Sequence, residues 1–265
     1  MTPQDLAGAP LPPSLQVERQ GEVAVLRLAR APKRNALDDP TVLGIEAFFS
    51  TPPADVKAVV LDAEGPHFCA GLDLSELSDT DTFAGVQHSM MWHRALGWLE
   101  RGRVPVVAVL KGAVIGGGLE LASATHIRVA EPSAFYALPE GQHGLFVGGG
   151  GSVRVPRLIG AHRMADMMLT GRVLDAEEGQ ALGLSQYLTG PGEGLTTALE
   201  LAKKIAANSP VSNFAVLQAL PRIAEANPAE GYLLEALMAA VASGSDQAKE
   251  RMRAFLEGRG GKVQR

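Results

Sequence analysis

Cysteine is almost absent from these 265 residues: Cys69 stands alone, so no internal disulfide can form, and a reducing cytoplasm is the expected setting. Positive charge is not in excess. A formal net charge of −5 and a pI near 5.7 leave no basic surplus to neutralise a phosphate backbone, which argues against a nucleic-acid partner. No apolar stretch reaches the roughly 18 uncharged residues of a membrane span. Nor does the chain open with a basic start, an apolar run and a small-residue cleavage site. A soluble cytoplasmic protein without membrane contact is expected. Internal repeats and low-complexity blocks are also missing.

What remains is ordinary globular composition, 46% hydrophobic and 20% charged, enough for one large domain or two modest ones. The first 14 residues, with Pro3, Pro10, Pro12 and Pro13, have no periodicity and read as a loose arm. Leu15 to Val17 and Val23 to Leu28 alternate around Gln20-Gly21, the pattern of a hairpin. Lys57 to Leu61 and Val104 to Leu110 are β-branched runs without alternation, as in strands buried on both faces. Helical patterns fall at Pro40 to Phe49, Thr82 to Glu100 and Gly117 to Ala124, giving a layered α/β core with parallel pairing. A short strand is expected around Ala134 to Leu138. The segment from Thr189 to Gly194 is the best linker candidate, followed by four helix-like runs: Leu195 to Asn208, Pro210 to Ala226, Ala229 to Val241 and Gln247 to Gly258. The boundaries drawn are an arm over 1–14, an α/β core over 15–190 and a helical subdomain over 191–265.

Three segments carry chemistry. His67-Phe68-Cys69-Ala70-Gly71-Leu72-Asp73-Leu74 follows a buried strand, and a small-residue bend there exposes backbone N–H groups. Gly116-Gly117-Gly118 then opens a helix whose first turn contains Glu120. Unpaired N–H donors at the positive end of a helix dipole suit a developing oxyanion. The spacing fits neither common nucleotide fingerprint. Third, Leu138-Pro139-Glu140 places a carboxylate after a proline that fixes the backbone, ahead of a second glycine cluster at Gly148 to Gly151. Read singly, the first is a turn, and Glu120 and Glu140 are carboxylates at helix N-termini, each stabilising by about 0.3–1 kcal/mol.

Their joint order is more specific. Phe-Cys-Ala-Gly-Leu-Asp, then Gly-Gly-Gly-Leu-Glu-Leu-Ala, then the Pro-Glu segment with its trailing glycines resembles the enoyl-CoA hydratase/isomerase, or crotonase, family. Arg34-Asn35-Ala36-Leu37, Leu169-Thr170-Gly171, Ala176 to Gly183 and Ala254 to Glu257 extend the resemblance over nearly all of residues 15 to 259. It implies a crotonase-like spiral core of ββα units with a C-terminal helical oligomerisation subdomain. The N–H groups of Leu72 and Gly117 would form an oxyanion hole, Glu120 and Glu140 would be the two hydratase carboxylates, and Gly148 would position water or substrate. Ala70, Arg34 and Ala36 would hold coenzyme A, which is part of the substrate. No separate cofactor and no metal are implied. Departures from the family pattern are Gly141, Gln142 and His143 where aliphatic residues are usual, Val147 for proline, and Thr125-His126 where a carboxylate often closes the oxyanion helix.

Hydration of a 2-enoyl-CoA is the reading these residues favour. A Δ3,Δ2-enoyl-CoA isomerase, another crotonase reaction or a non-catalytic acyl-CoA binding protein are the alternatives; retention of both glutamates weighs against the first and the last. His88 and His93, five apart on one helix, face different directions and are poor joint metal ligands. Cys69 reads as a packed small hydrophobe, and Trp92, Trp98, Met90 and Met91 as core or pocket wall. Segments such as Gly231 to Met238 carry more apolar surface than one small layer covers, so the tail is expected to self-associate, and the resemblance implies trimers, possibly paired as hexamers. Light scattering at micromolar concentration should therefore give a mass well above the 27.8 kDa of one chain; a monomer would refute the expectation.

Overall fold

Leu15–Gln20 (β1) and Val23–Leu28 (β2) form the predicted hairpin, paired antiparallel from Leu15 opposite Leu28 to Gln20 opposite Val23, with Gly21 at φ 64° in the turn. The structure is a computed structural model that describes residues 11–76 and 81–259. Parallel to β2 run Ala58–Ala63 (β3) and Val106–Leu110 (β4). Ala113–Ile115 (β5) turns away, Ile127–Ala130 (β6) pairs parallel with β4, and Phe135–Ala137 (β7) pairs parallel with β5. Leu174–Asp175 (β8) and Tyr187–Leu188 (β9) end the series. Among the described residues the strands form a six-stranded sheet, β1-β2-β3-β4-β6-β9, and a three-stranded one, β5-β7-β8. Strands β5, β6, β8 and β9 were not anticipated, whereas β7, equally short, falls within the expected Ala134 to Leu138.

The unalternating apolar runs now have their cause. Along β2, β3 and β4, the side chains of Ala24, Leu26, Val59, Leu61, Val106 and Ala108 enter one buried cluster, while Val23, Val25, Ala58, Val60, Val107 and Val109 enter a second on the opposite face. The first cluster is covered by Asp39–Ser50 (α1) and Thr82–Arg101 (α2), which supply Val42, Ile45, Phe48, Trp92, Leu96 and Leu99. Both helices start at an aspartate cap: Asp38 accepts from the Thr41 N–H at 3.0 Å and Asp81 from the Ala84 N–H at 2.8 Å. Gly117–Ser123 (α3), Gly151–Ile159 (α4), Ala161–Thr170 (α5) and Ala176–Leu182 (α6) follow, the last opened by a capping box between Asp175 and Glu178. Gly194–Ala206 (α7) covers the second cluster with Ala198, Ala202 and Ala206, whose four-residue spacing lines up one small face against the valines.

Two boundaries therefore move. The chain divides after Ala206, not near residue 190, because α7 belongs to the sheet; the turn before it is fixed by the Gly194 N–H donating to Glu131 Oε1 at 3.1 Å. The expected arm lies outside the described residues up to residue 10, but from Leu11 it is docked: Leu11 packs on the core and buried Ser14 accepts a 2.7 Å bond from the Thr41 hydroxyl. The second unit contains Pro210–Phe214 (α8), a π-turn at Ala215–Ala219, Leu220–Glu225 (α9), Pro228–Gly244 (α10) and Asp246–Leu256 (α11). The π-turn sits just before Pro221, which has no N–H to continue the ladder. Tyr232, Leu233, Leu237 and Val241 on α10 are exposed in the single chain. No described helix is long and apolar enough to cross a membrane.

Arg34 and Asn35 occupy the left-handed region in succession, at φ 50° and 56°, which few non-glycine residues adopt. Asn35, 1% exposed, holds the turn with three bonds: Oδ1 accepts from the Arg30 N–H at 2.9 Å, and Nδ2 donates to the carbonyls of Glu64 at 2.9 Å and His67 at 2.8 Å. Asn35→Ala strips partners from all three groups and leaves a Cβ in the strained region without a local polar bond. Urea unfolding should show a loss of about 3 kcal/mol or more; a loss below about 1 kcal/mol, the size of an ordinary substitution, would contradict this role.

Candidate active site

Two backbone segments from different strands meet at the carboxyl ends of β3 and β5. The loop after β3 is stitched to β5 by bonds from the Cys69 N–H to the Ala113 carbonyl at 2.9 Å and from the Ile115 N–H to the Cys69 carbonyl at 3.1 Å. On its other side the Leu37 N–H donates to the Gly71 carbonyl and the Asp73 N–H to the Leu37 carbonyl, both at 2.8 Å. The three glycines that open α3 answer to different neighbours. A Cβ on Gly118 would lie 2.3 Å from the Cys69 carbonyl oxygen, and one on Gly116, at φ 51°, would lie 2.6 Å from Glu140 Oε1. One on Gly117 would fall 3.2 Å from the Leu72 nitrogen and 3.1 Å from Trp92 Cη2. Bare backbone thus brings the amides of Leu72 and Gly117 side by side on the cleft wall. Neither N–H bonds another described residue. Two such donors can hold a carbonyl oxygen on which negative charge develops.

Glu120 and Glu140 both line this cleft, with Ala70, Leu72, Gly117, His143 and Gly148. Glu120 is 4% exposed, and its Oε1 accepts from the N–H groups of Gly149 at 2.8 Å and Gly151 at 2.7 Å. Burial pushes its pKa up; the two amides and then Arg154 oppose the rise. Glu140 sits in the 3-10 turn Pro139–His143, whose proline sets the entry angle. Burial raises its pKa to about 6, with the negative charge of Glu120 adding to the rise. Its Oε2 is buried without a partner among the described residues, so it can exchange a proton with a bound molecule. Two carboxyls in different environments, lining one cleft with two amides that bond no other described residue, have the groups that paired proton transfers require.

The residues assigned to coenzyme A also converge. The Ala70 N–H donates to the Arg34 carbonyl at 3.0 Å, with the Arg34 side chain exposed. Arg30 donates to the Ala36 carbonyl at 2.7 Å and to Asp73 Oδ2 at 2.8 Å, and pairs with Asp38 at 3.1 Å, locking this turn to the Leu72 loop. The Ser75 hydroxyl, then Arg30, hold the Asp73 pKa down to about 2.

Other expectations fare unevenly. Cys69 is fully buried, its thiol pushed up to about 12, and its sulfur accepts the Gly71 N–H at 3.4 Å. Trp92 is buried behind Gly117 and Gly149. Trp98 and Met90, expected inside, are 44% and 62% exposed, because they fall on the face of α2 away from the buried Trp92, Leu96 and Leu99 stripe. His88 is engaged with Asp39 at 2.8 Å. His126 makes a half-buried link: Nδ1 accepts the Val106 N–H at 2.9 Å and Nε2 lies 3.0 Å from the Glu100 carbonyl, while desolvation lowers its pKa to about 4. Among the described residues no group of three His, Cys, Asp or Glu is placed to hold a metal ion. Arg154 went unnoticed, because nothing in Arg154-Val155-Pro156-Arg157 distinguishes a buried arginine from its neighbour.

A sequence model of the family described as "Enoyl-CoA hydratase/isomerase" matches residues 18–263. The chain is 32% identical over 253 residues to enoyl-CoA hydratase EchA19 of Mycobacterium tuberculosis, covering 93% of this chain and 95% of the relative. It is 30% identical over 246 residues to the short-chain-enoyl-CoA hydratase of Clostridium acetobutylicum, covering 92% and 94%. A solved structure from Rhodopseudomonas palustris, described as a "putative enoyl-CoA hydratase", superposes with a TM-score of 0.92 at 56% identity, over 94% of this chain and 97% of that one.

The site makes a pH prediction of its own. Carbon-13 NMR on labelled glutamate should find Glu140 titrating near pH 6, protonated below and ionised above. In Glu120→Gln the midpoint should fall, since a like charge is removed. A midpoint near 4.3, the ordinary glutamate value, in the parent protein would contradict the burial seen here.

Proposed function

We propose that this chain, which belongs to the enoyl-CoA hydratase/isomerase family, adds water across the C2=C3 double bond of a 2-enoyl-CoA thioester. The observation that carries the reading is that Glu120 and Glu140 line one cleft with Leu72 and Gly117, whose amides bond no other described residue. The relatives named as enoyl-CoA hydratases support it.

In this reading the thioester oxygen lies against the Leu72 and Gly117 N–H groups. Water, oriented by Glu120, attacks C3 and passes its proton to that carboxylate. The C2=C3 electron pair shifts to make an enolate, whose charge collects on the thioester oxygen. C2 then takes a proton from Glu140, so the product gains one hydroxyl at C3 and one hydrogen at C2. Loss of one oxyanion-hole donor typically costs about 10²–10³ in rate, the largest single contribution among these groups. Gly148 lines the reacting end, and its lack of a side chain keeps that wall open beside Ser89, whose Oγ would be 3.0 Å from a Cβ there. In the same reading Ala70, on the cleft lining, and the Arg34–Ala36 turn bonded to its N–H hold the nucleotide end of the substrate.

The two carboxylates are separable by experiment. Glu120→Gln keeps size and hydrogen bonding but removes the base, and hydration of crotonyl-CoA should fall by about 10²–10⁴, the usual contribution of general acid–base catalysis. Acyl-CoA binding should change little. The same variant should retain deuterium uptake at C2 of a saturated acyl-CoA in D2O, because the enolate site and Glu140 are intact. Glu140→Gln should abolish both. Normal hydration by Glu120→Gln, or parental exchange by Glu140→Gln, would overturn the assigned roles.

A further inference from the structure

Behind the cleft, a buried cation reaches Glu120 through the backbone. Arg154, on α4, is 9% exposed and does not line the cleft. Its Nε and Nη2 meet Glu100 Oε2 at 3.0 and 2.9 Å, and its Nη1 donates to the Gly149 carbonyl at 3.0 Å. The N–H of that same Gly149, with the N–H of Gly151, grips Glu120 Oε1. Between them Gly150 stands at φ 99°, where a Cβ would lie 2.3 Å from Arg154 Nη1, so the guanidinium closes directly on the main chain.

We propose that Arg154, braced by Glu100, is a positioning residue: it fixes the Gly149–Gly151 backbone so that two amides aim the Glu120 carboxylate at the water it activates. The proposal rests on the hydratase reading. Four consecutive glycines, Gly148 to Gly151, have more backbone freedom than any other sequence, and a carboxylate held by two of their amides is only as well placed as they are. A guanidinium suits the task because its planar fork engages a carboxylate and a carbonyl at once and does not deprotonate. Its charge also favours ionised Glu120. The other titratable groups acting on Glu120 are His93 from α2, which favours ionisation, and Glu140 from the 3-10 turn, which opposes it.

The test compares Arg154→Met, Arg154→Lys and Glu100→Gln with the parent, on crotonyl-CoA hydration and on C2 exchange of butyryl-CoA in D2O. In Arg154→Met, kcat for hydration should drop by about 10²-fold, the effect of displacing a reacting group by about 1 Å, with KM nearly unchanged. The acidic limb of its pH profile should rise by about one unit, because an opposite charge has been removed. C2 exchange, which uses Leu72, Gly117 and Glu140, should continue near the parental rate. Arg154→Lys should return the acidic limb toward the parent while recovering only part of kcat, and Glu100→Gln should lower kcat in the same direction by less. If Arg154→Met does not fold, the other two variants carry the same comparison. Equal losses of hydration and exchange with an unmoved acidic limb would reduce Arg154 to a structural residue and overturn the proposal alone. A parent that does not hydrate crotonyl-CoA would overturn the reading of the reaction, and this proposal with it.

Discussion

The close approach of two stretches of bare backbone, Cys69 to Leu72 and Gly116 to Gly118, is the constraint on which the site depends. A side chain at Gly118 would meet a main-chain oxygen that cannot swing aside. With none there, α3 starts against the loop that follows β3, and two amides from distant parts of the chain become neighbours. The β5 bridge at Cys69 and the Leu37 bridge at Leu72 hold the loop from either side. The arrangement is organised before any ligand arrives, which is the condition under which fixed dipoles stabilise developing charge most effectively.

Burial then divides the labour of the two carboxyls. Both lose water, and both are pushed toward the protonated form. Glu120 is compensated by two amides and a nearby arginine. Glu140 has an unpartnered oxygen and a like-charged neighbour. Desolvation is the largest influence on each; it is opposed at Glu120 by the Gly151 and Gly149 amides and Arg154, and at Glu140 by its own backbone N–H, while the charge of Glu120 adds to the rise at Glu140.

The turn from Arg30 to Asp38 obeys a similar logic with less burial. Arg30 ties Ala36, Asp38 and Asp73 together, so the turn that presents Arg34 and the loop that presents Leu72 move as one piece. Elsewhere on the cleft lining, beside His143, Leu145 and Phe146 are exposed at 40% and 70%.

By itself, the sequence determined the class of fold, the hairpin, the doubly buried strands and the principal helices, and it named Ala70, Leu72, Gly117, Glu120, Glu140 and Gly148, which line the candidate cleft. Those features are written in local periods and in glycine, proline and carboxylate placements that one stretch of chain can express. It could not say that α7 belongs to the sheet, since an Ala198, Ala202, Ala206 face looks the same whether it meets a sheet or another helix. Nor could it show that Trp98 is exposed while Trp92 is buried, or that Asn35 anchors two distant carbonyls. Tertiary structure alone decided which amides hold Glu120 and that Arg154 stands behind them, because those contacts join residues about 30 positions apart or reach through the main chain of a third. Backbone amides are identical in every sequence, and only their positions in space give them a role.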